Sequence, residues 1–173
     1  MKLMWVIATM IVAVALQMTL ARYTVGGRWA FDLVLVGVLF AALQWGPIAG
    51  MIAGTIGGLT QDVLDNGIVG VGGLVKTLVG FAAGAVGAQF VLARPSARMM
   101  IVAIATMLHR MLLYGILAMI KQQWAAMPWR AMLWETAVNT LCSLVAFYAA
   151  EALPGAMARG RASRRSSFSR RQW

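Results

Sequence analysis

Acidic side chains are nearly missing from this chain: five Asp and Glu stand among 173 residues, and charged residues of every kind make up only 12%. A soluble domain carries about twice that share. Cysteine occurs once, at Cys142, which excludes an intrachain disulfide. Histidine occurs once, at His109, which excludes H-E-x-x-H and other multi-histidine metal sites within the chain. Ser143 is the one serine inside an expected helix, and no G-x-S-x-G surrounds it. An acid and base pair would have to come from Asp62 and Asp65, yet Asp65-Asn66-Gly67 reads more simply as a turn. No catalytic set, cofactor or metal is therefore expected.

What is abundant is hydrocarbon. Hydrophobic residues reach 61% and the mean hydropathy is +0.78, the composition of a membrane protein. Unalternated runs such as Met4–Leu16 exclude a β-barrel, whose strands alternate apolar and polar residues. The fold class expected is an all-α integral membrane protein with about six transmembrane helices. They fall near Leu3–Ala21, Ala30–Trp45, Gly46–Asp62, Leu74–Leu92, Met99–Ile120 and Ala131–Leu153. The first reads as an uncleaved helix and not as a signal peptide. The second and third are short and are separated by Gly46-Pro47, since proline suits a first helical turn and breaks an interior. Val63 to Gly73 reads as an irregular, apolar segment packed at membrane depth. Lys121 to Arg130, with Trp124, Pro128 and Trp129, suits the headgroup layer.

Six of the fifteen basic residues, Arg159, Arg161, Arg164, Arg165, Arg170 and Arg171, crowd the end of the chain. The division expected is a membrane domain over residues 1–157 and a basic, disordered tail over 158–173, with Pro154-Gly155 stopping the last helix. Beside a membrane helix such a run points to cytoplasmic retention and anionic lipid, not to nucleic acid. Counting Lys2, Arg94, Arg98 and the tail against Arg22, Arg28, Lys121 and Arg130 places both termini in the cytoplasm.

Gly46, Gly50, Gly54 and Gly58 recur every fourth residue, and the same step lands on Asp62. Residues four apart share one side of a helix, so the glycines form a groove that admits a second backbone. Gly80 and Gly84 in the fourth helix offer the matching stripe. A carboxylate beside hydrocarbon must be paired or hydrated. Asp62 is accordingly expected to accept loop amides or to pair with Lys76, and Arg110, mid-helix, must face the bundle interior or a partner.

The stretch from Gly46 to Gly84 resembles the signature region of the rod shape-determining MreD family. The residues that carry the likeness are Pro47, Gly54, Gly58-Leu59-Thr60-Gln61-Asp62, Gly70-Val71-Gly72-Gly73-Leu74 and Gly80-Phe81. Gly72-Gly73 departs from the pattern, where a more polar or bulkier pair is expected. The resemblance implies a non-enzymatic scaffold of the bacterial inner membrane, a subunit of the cell-elongation machinery that binds MreC and is linked to MreB, RodA and a class B penicillin-binding protein. It also implies a fold similar to the membrane subunits of energy-coupling-factor transporters. That likeness supplies the alternative function, a vitamin-binding membrane subunit with its ligand near Asp62 to Gly73. A vitamin site needs convergent polar and aromatic side chains, whereas this loop offers glycine and valine.

Overall fold

The computed structural model describes residues 2–21, 31–65, 67–89, 95–122 and 126–169, with side chains in the last helix as far as residue 150. Six helices follow one another: α1 (Lys2–Ala21), α2 (Leu33–Trp45), α3 (Pro47–Leu64), α4 (Val71–Gln89), α5 (Pro95–Lys121) and α6 (Trp129–Ser169). No strand occurs among the described residues. Among the described residues three stretches, Leu3–Leu20, Val71–Gln89 and Pro95–Lys121, are long and apolar enough to cross a membrane.

The shortest helix sits at the centre. α2 packs against α1, α3, α4, α5 and α6, and eight of its thirteen residues are buried. On one side Leu35 and Leu39 meet Val75 and Val79 of α4 and Val102 of α5. On another, Val38 and Ala41 meet Val6 and Met10 of α1 and Ala49 and Ala53 of α3. Lipid tails are as apolar as these side chains, so close packing holds the helices together, with no gain from removing apolar surface from water. Gly37 lets α1 lie close, since a Cβ there would stand 2.8 Å from the Met10 methyl carbon.

The chain reverses between α2 and α3 at Gly46, whose φ of +96° lies in a region that side chains disfavour, and Pro47 then opens α3 without losing a helical hydrogen bond. The connection from α3 to α4 is shorter than the sequence suggests. α3 runs on to Leu64 and α4 begins at Val71, so Val63, Leu64 and Val71 to Gly73 are helical and only 65–70 lie between. Gly70 makes the turn with a φ of +101°. Val69 of this connection is exposed, and Ile68, less exposed, lines a cavity, one of the two surroundings, protein or cavity, expected for its apolar residues.

The last helix also departs from expectation. α6 continues past Pro154-Gly155 to Ser169. Proline removes one hydrogen bond and kinks a helix, but the alanine, methionine and arginine around it favour helix strongly enough to carry the backbone through. Arg159, Arg161, Arg164 and Arg165 lie on this helical backbone, where the sequence led to expect disorder; Arg170, Arg171, Arg22 and Arg28 lie outside the described residues.

Candidate functional site

The glycine stripe of α3 lies directly on α4, and the two run antiparallel in a fixed register. Gly50 meets Gly80, Gly54 meets the backbone at Lys76 and Thr77, Gly58 meets Gly73, and Gly84 meets Gly46 and Pro47. At Gly50, Gly54, Gly58, Gly80 and Gly84 an added Cβ would strike the backbone of the facing segment. Backbone cannot rotate away as a side chain can, so even alanine is excluded without separating the helices. Thr55 and Thr77, bonded through their hydroxyls at 2.8 Å, close the seam on its exposed side.

Where the seam ends, Asp62 ties the turn. Its Oδ2 accepts the Gly70 N–H at 2.8 Å and the Gly73 N–H at 3.1 Å, and its backbone carbonyl accepts Gly67 at 3.0 Å. Gly72 explains the departure from the family pattern: a Cβ there would strike Asp62 Oδ1, so glycine makes room for the carboxylate. Asp65 caps α3 and is more exposed. Partial burial raises its carboxyl above the ordinary value, against a hydrogen bond from Gln61 that lowers it.

Lys76 does not reach Asp62. It pairs with Asp32 at 2.8 Å, both side chains almost fully buried, and its Nζ lies 3.4 Å from His109 Nε2. The preference follows from commitment: Asp62 is already occupied by loop amides, whereas Asp32 begins α2 in the interior. Asp32 Oδ1 caps that helix by accepting the Leu35 N–H at 2.9 Å, while the Asp32 N–H donates to Asn139 Oδ1 at 2.9 Å. Gln17 Oε1 accepts the next amide, Leu33, at 2.9 Å. One junction thus gathers Gln17 from α1, Asp32 before α2, Lys76 from α4, His109 from α5 and Asn139 from α6.

Arg110 turns inward and forms an ion pair with Glu135 of α6. Above both pairs opens a cavity of about 390 Å³. Of its polar lining, the α3 end and loop contribute Gln61, Asp62 and Asp65, α5 contributes Arg110 and Lys121, and Asp32 and Lys76 add a further pair. Among the described residues no group of His, Cys, Asp and Glu is arranged to hold a metal.

Glycine spacing alone points to Gly50, Gly54, Gly58, Gly80 and Gly84, and the resemblance adds Gly70. Asp32, Glu135, Asn139 and Gln17 go unmarked by it. A signal was present: Asp32 stands immediately before an apolar run, the place of a capping residue, and Glu135 is an acid one turn into an apolar helix.

No curated protein and no solved structure matches the chain. A family model does, that of the rod shape-determining protein MreD, over residues 1–149. That span takes in the glycine seam, the Asp62 turn, the Asp32 junction and the Arg110–Glu135 pair. It is most of the chain, and with a helical membrane architecture around it the conclusion is direct: this protein belongs to the MreD family, membrane proteins of rod shape determination.

Proposed function

We propose that the chain is a non-enzymatic scaffold subunit of the machinery that elongates the bacterial cell and directs peptidoglycan synthesis. It would lie in the inner membrane with both termini in the cytoplasm, binding an MreC-like bitopic protein, with MreB, RodA and a class B penicillin-binding protein as further partners. Its basic tail would meet anionic lipid. The observation that supports this reading most is the use made of the buried ionic residues: Asp32 with Lys76 and Arg110 with Glu135 are spent on joining one helix to another. Such pairs fix a framework, because removing one member strands the other.

Co-purification tests it. The full chain, co-expressed with a bitopic MreC-like protein, should come through detergent extraction as a stable complex, and loss of the chain should turn rods into spheres. A cell that keeps its rod shape without the chain would reject the proposal. The cavity beside Asp62 favours the second reading, a vitamin-binding membrane subunit. Among the described residues Phe31 is its one aromatic lining residue, where a vitamin ring would be held by several. Sub-micromolar binding of a vitamin by the purified chain would establish that reading.

A further inference from the structure

The cavity has a charge pattern of its own. Among the described residues that line it, six of fourteen are ionisable, whereas small-molecule pockets of roughly 300–1,000 Å³ are mostly apolar. The charges are also sorted by wall. Asp62 and Asp65 stand on the α3 end and its turn, and Arg110 and Lys121 stand on α5. The remaining pair, Asp32 with Lys76, is closed on itself at 2.8 Å, whereas Arg110 meets Glu135 through one Nη only, keeps 19% of its side chain exposed and has an Nε without a hydrogen-bond partner among the described residues.

The α5 wall is regular. Arg110, Leu113, Leu117 and Lys121 share one helical face, with the two cations about 16 Å apart along the axis and leucines between them. Lys121 is exposed in the last helical turn and makes no ion pair among the described residues. On the opposite wall Asp62 commits Oδ2 to two amides, leaving Oδ1 beside Gly72, which also lines the cavity. Ile68 and Val71 border the acids with apolar surface.

A simple anion entering here would meet two carboxylates, and a simple cation would meet an arginine and a lysine. Each is rejected by one wall, which is how a site discriminates through repulsion. We propose that this cavity binds a zwitterion that joins a phosphate to a primary ammonium, the chemistry of phosphoethanolamine, with the phosphate on the Arg110 and Lys121 wall and the ammonium on the Asp62 and Asp65 wall. The primary amine matters because N–H donors reach a carboxylate oxygen, and a quaternary ammonium has none. The same group exists free in solution and as the headgroup of a phospholipid. The leucines of α5 and the exposed Ile68 suit acyl chains alongside the headgroup.

The test uses the full-length protein in detergent after reconstitution in bilayers of equal parts phosphatidylethanolamine, phosphatidylcholine and phosphatidylglycerol, with bound lipid counted by native mass spectrometry. Phosphatidylethanolamine should be retained about tenfold over each of the others. Asp65→Asn and Lys121→Gln, both at exposed positions outside the ion pairs, should each erase most of that preference without lowering the melting temperature. Soluble phosphoethanolamine at millimolar concentration should displace the bound lipid if a free zwitterion is also accepted; a lipid that stays bound assigns the site to the bilayer headgroup. Equal retention of the three lipids, a preference for phosphatidylglycerol, or a preference unchanged in both variants would overturn the proposal. None of these readouts involves the elongation partners, so the scaffold reading stands or falls separately.

Discussion

The α3–α4 pair and the α5–α6 pair solve one problem in opposite ways. Both must join two helices in a medium that gives no credit for burying apolar surface. α3 and α4 do so by lacking side chains, so that Gly50 and Gly80 bring backbone against backbone. α5 and α6 do so by keeping two long charged ones, Arg110 and Glu135. The first contact is continuous along the helices and tolerates nothing larger than hydrogen. The second is local and depends on two residues that are costly when separated. α2 combines the two modes, with Gly37 against α1 and Asp32 against Lys76.

The largest effect is expected in the seam. Gly54→Leu would drive four carbons into the backbone at Lys76 and Thr77, where no rotamer change of a neighbour can relieve the overpacking and the two helices must part along the seam. The variant should fail to give a cooperative unfolding transition in detergent. A wild-type melting curve would mean that the helices are not this close.

Next comes the central ion pair. Lys76→Met leaves Asp32 buried without its partner, a loss of about 3–5 kcal/mol. The double variant Asp32→Asn with Lys76→Met should recover much of it, and a double-mutant cycle on thermal unfolding measures the coupling. Additive losses would show that the two do not act together. Glu135→Gln should cost less, about 1–3 kcal/mol, because the Arg110 side chain keeps 19% exposure and can turn toward the cavity. If it equals the loss at Lys76, the distinction between a sealed and a vented ion pair is mistaken.

The smallest effect belongs to the turn. Asp62→Asn weakens two charge-assisted bonds to Gly70 and Gly73 by about 1 kcal/mol each. Faster amide exchange at Gly70 and Gly73 would report it. Asp65→Asn should leave those amides unchanged, since they bond to Asp62. Equal changes in both variants would deny Asp62 its part in the turn.

These two modes also differ in how they are written in the chain. A glycine seam is a local rule, one small residue every fourth position, so Gly50, Gly54 and Gly58 announce a close contact and Gly80 announces where. An ion pair is a relation between distant positions. Asp32 and Lys76 are 44 residues apart, Arg110 and Glu135 are 25 apart, and no periodicity joins either pair. The number and type of the helices were legible for the same reason as the seam, since hydropathy is local. Their ends were less so. Val71-Gly72-Gly73 looked like loop because two glycines lower helix propensity, but packing against Gly58 and Asp62 overrides that cost of about 1 kcal/mol per glycine. Pro154 reads as a stop because proline lacks an N–H, yet the helix formers on either side carry the backbone past it.

The brevity of α2 has an electrical consequence. Thirteen residues rise about 20 Å, short of a hydrocarbon core about 30 Å thick. Asp32 at the N-terminal end of α2 meets Lys76, which lies five residues inside α4, and Lys76 meets His109, twelve residues before the end of α5, so these charges are set below the ends of the longer helices. A single elementary charge moved through the whole of a membrane voltage changes energy by about 2.3 kcal/mol per 100 mV. Asp32 and Lys76 stand side by side with opposite sign, so the two contributions cancel and the pair adds no dependence on the membrane potential. Either charge alone would make the stability of the fold follow the voltage.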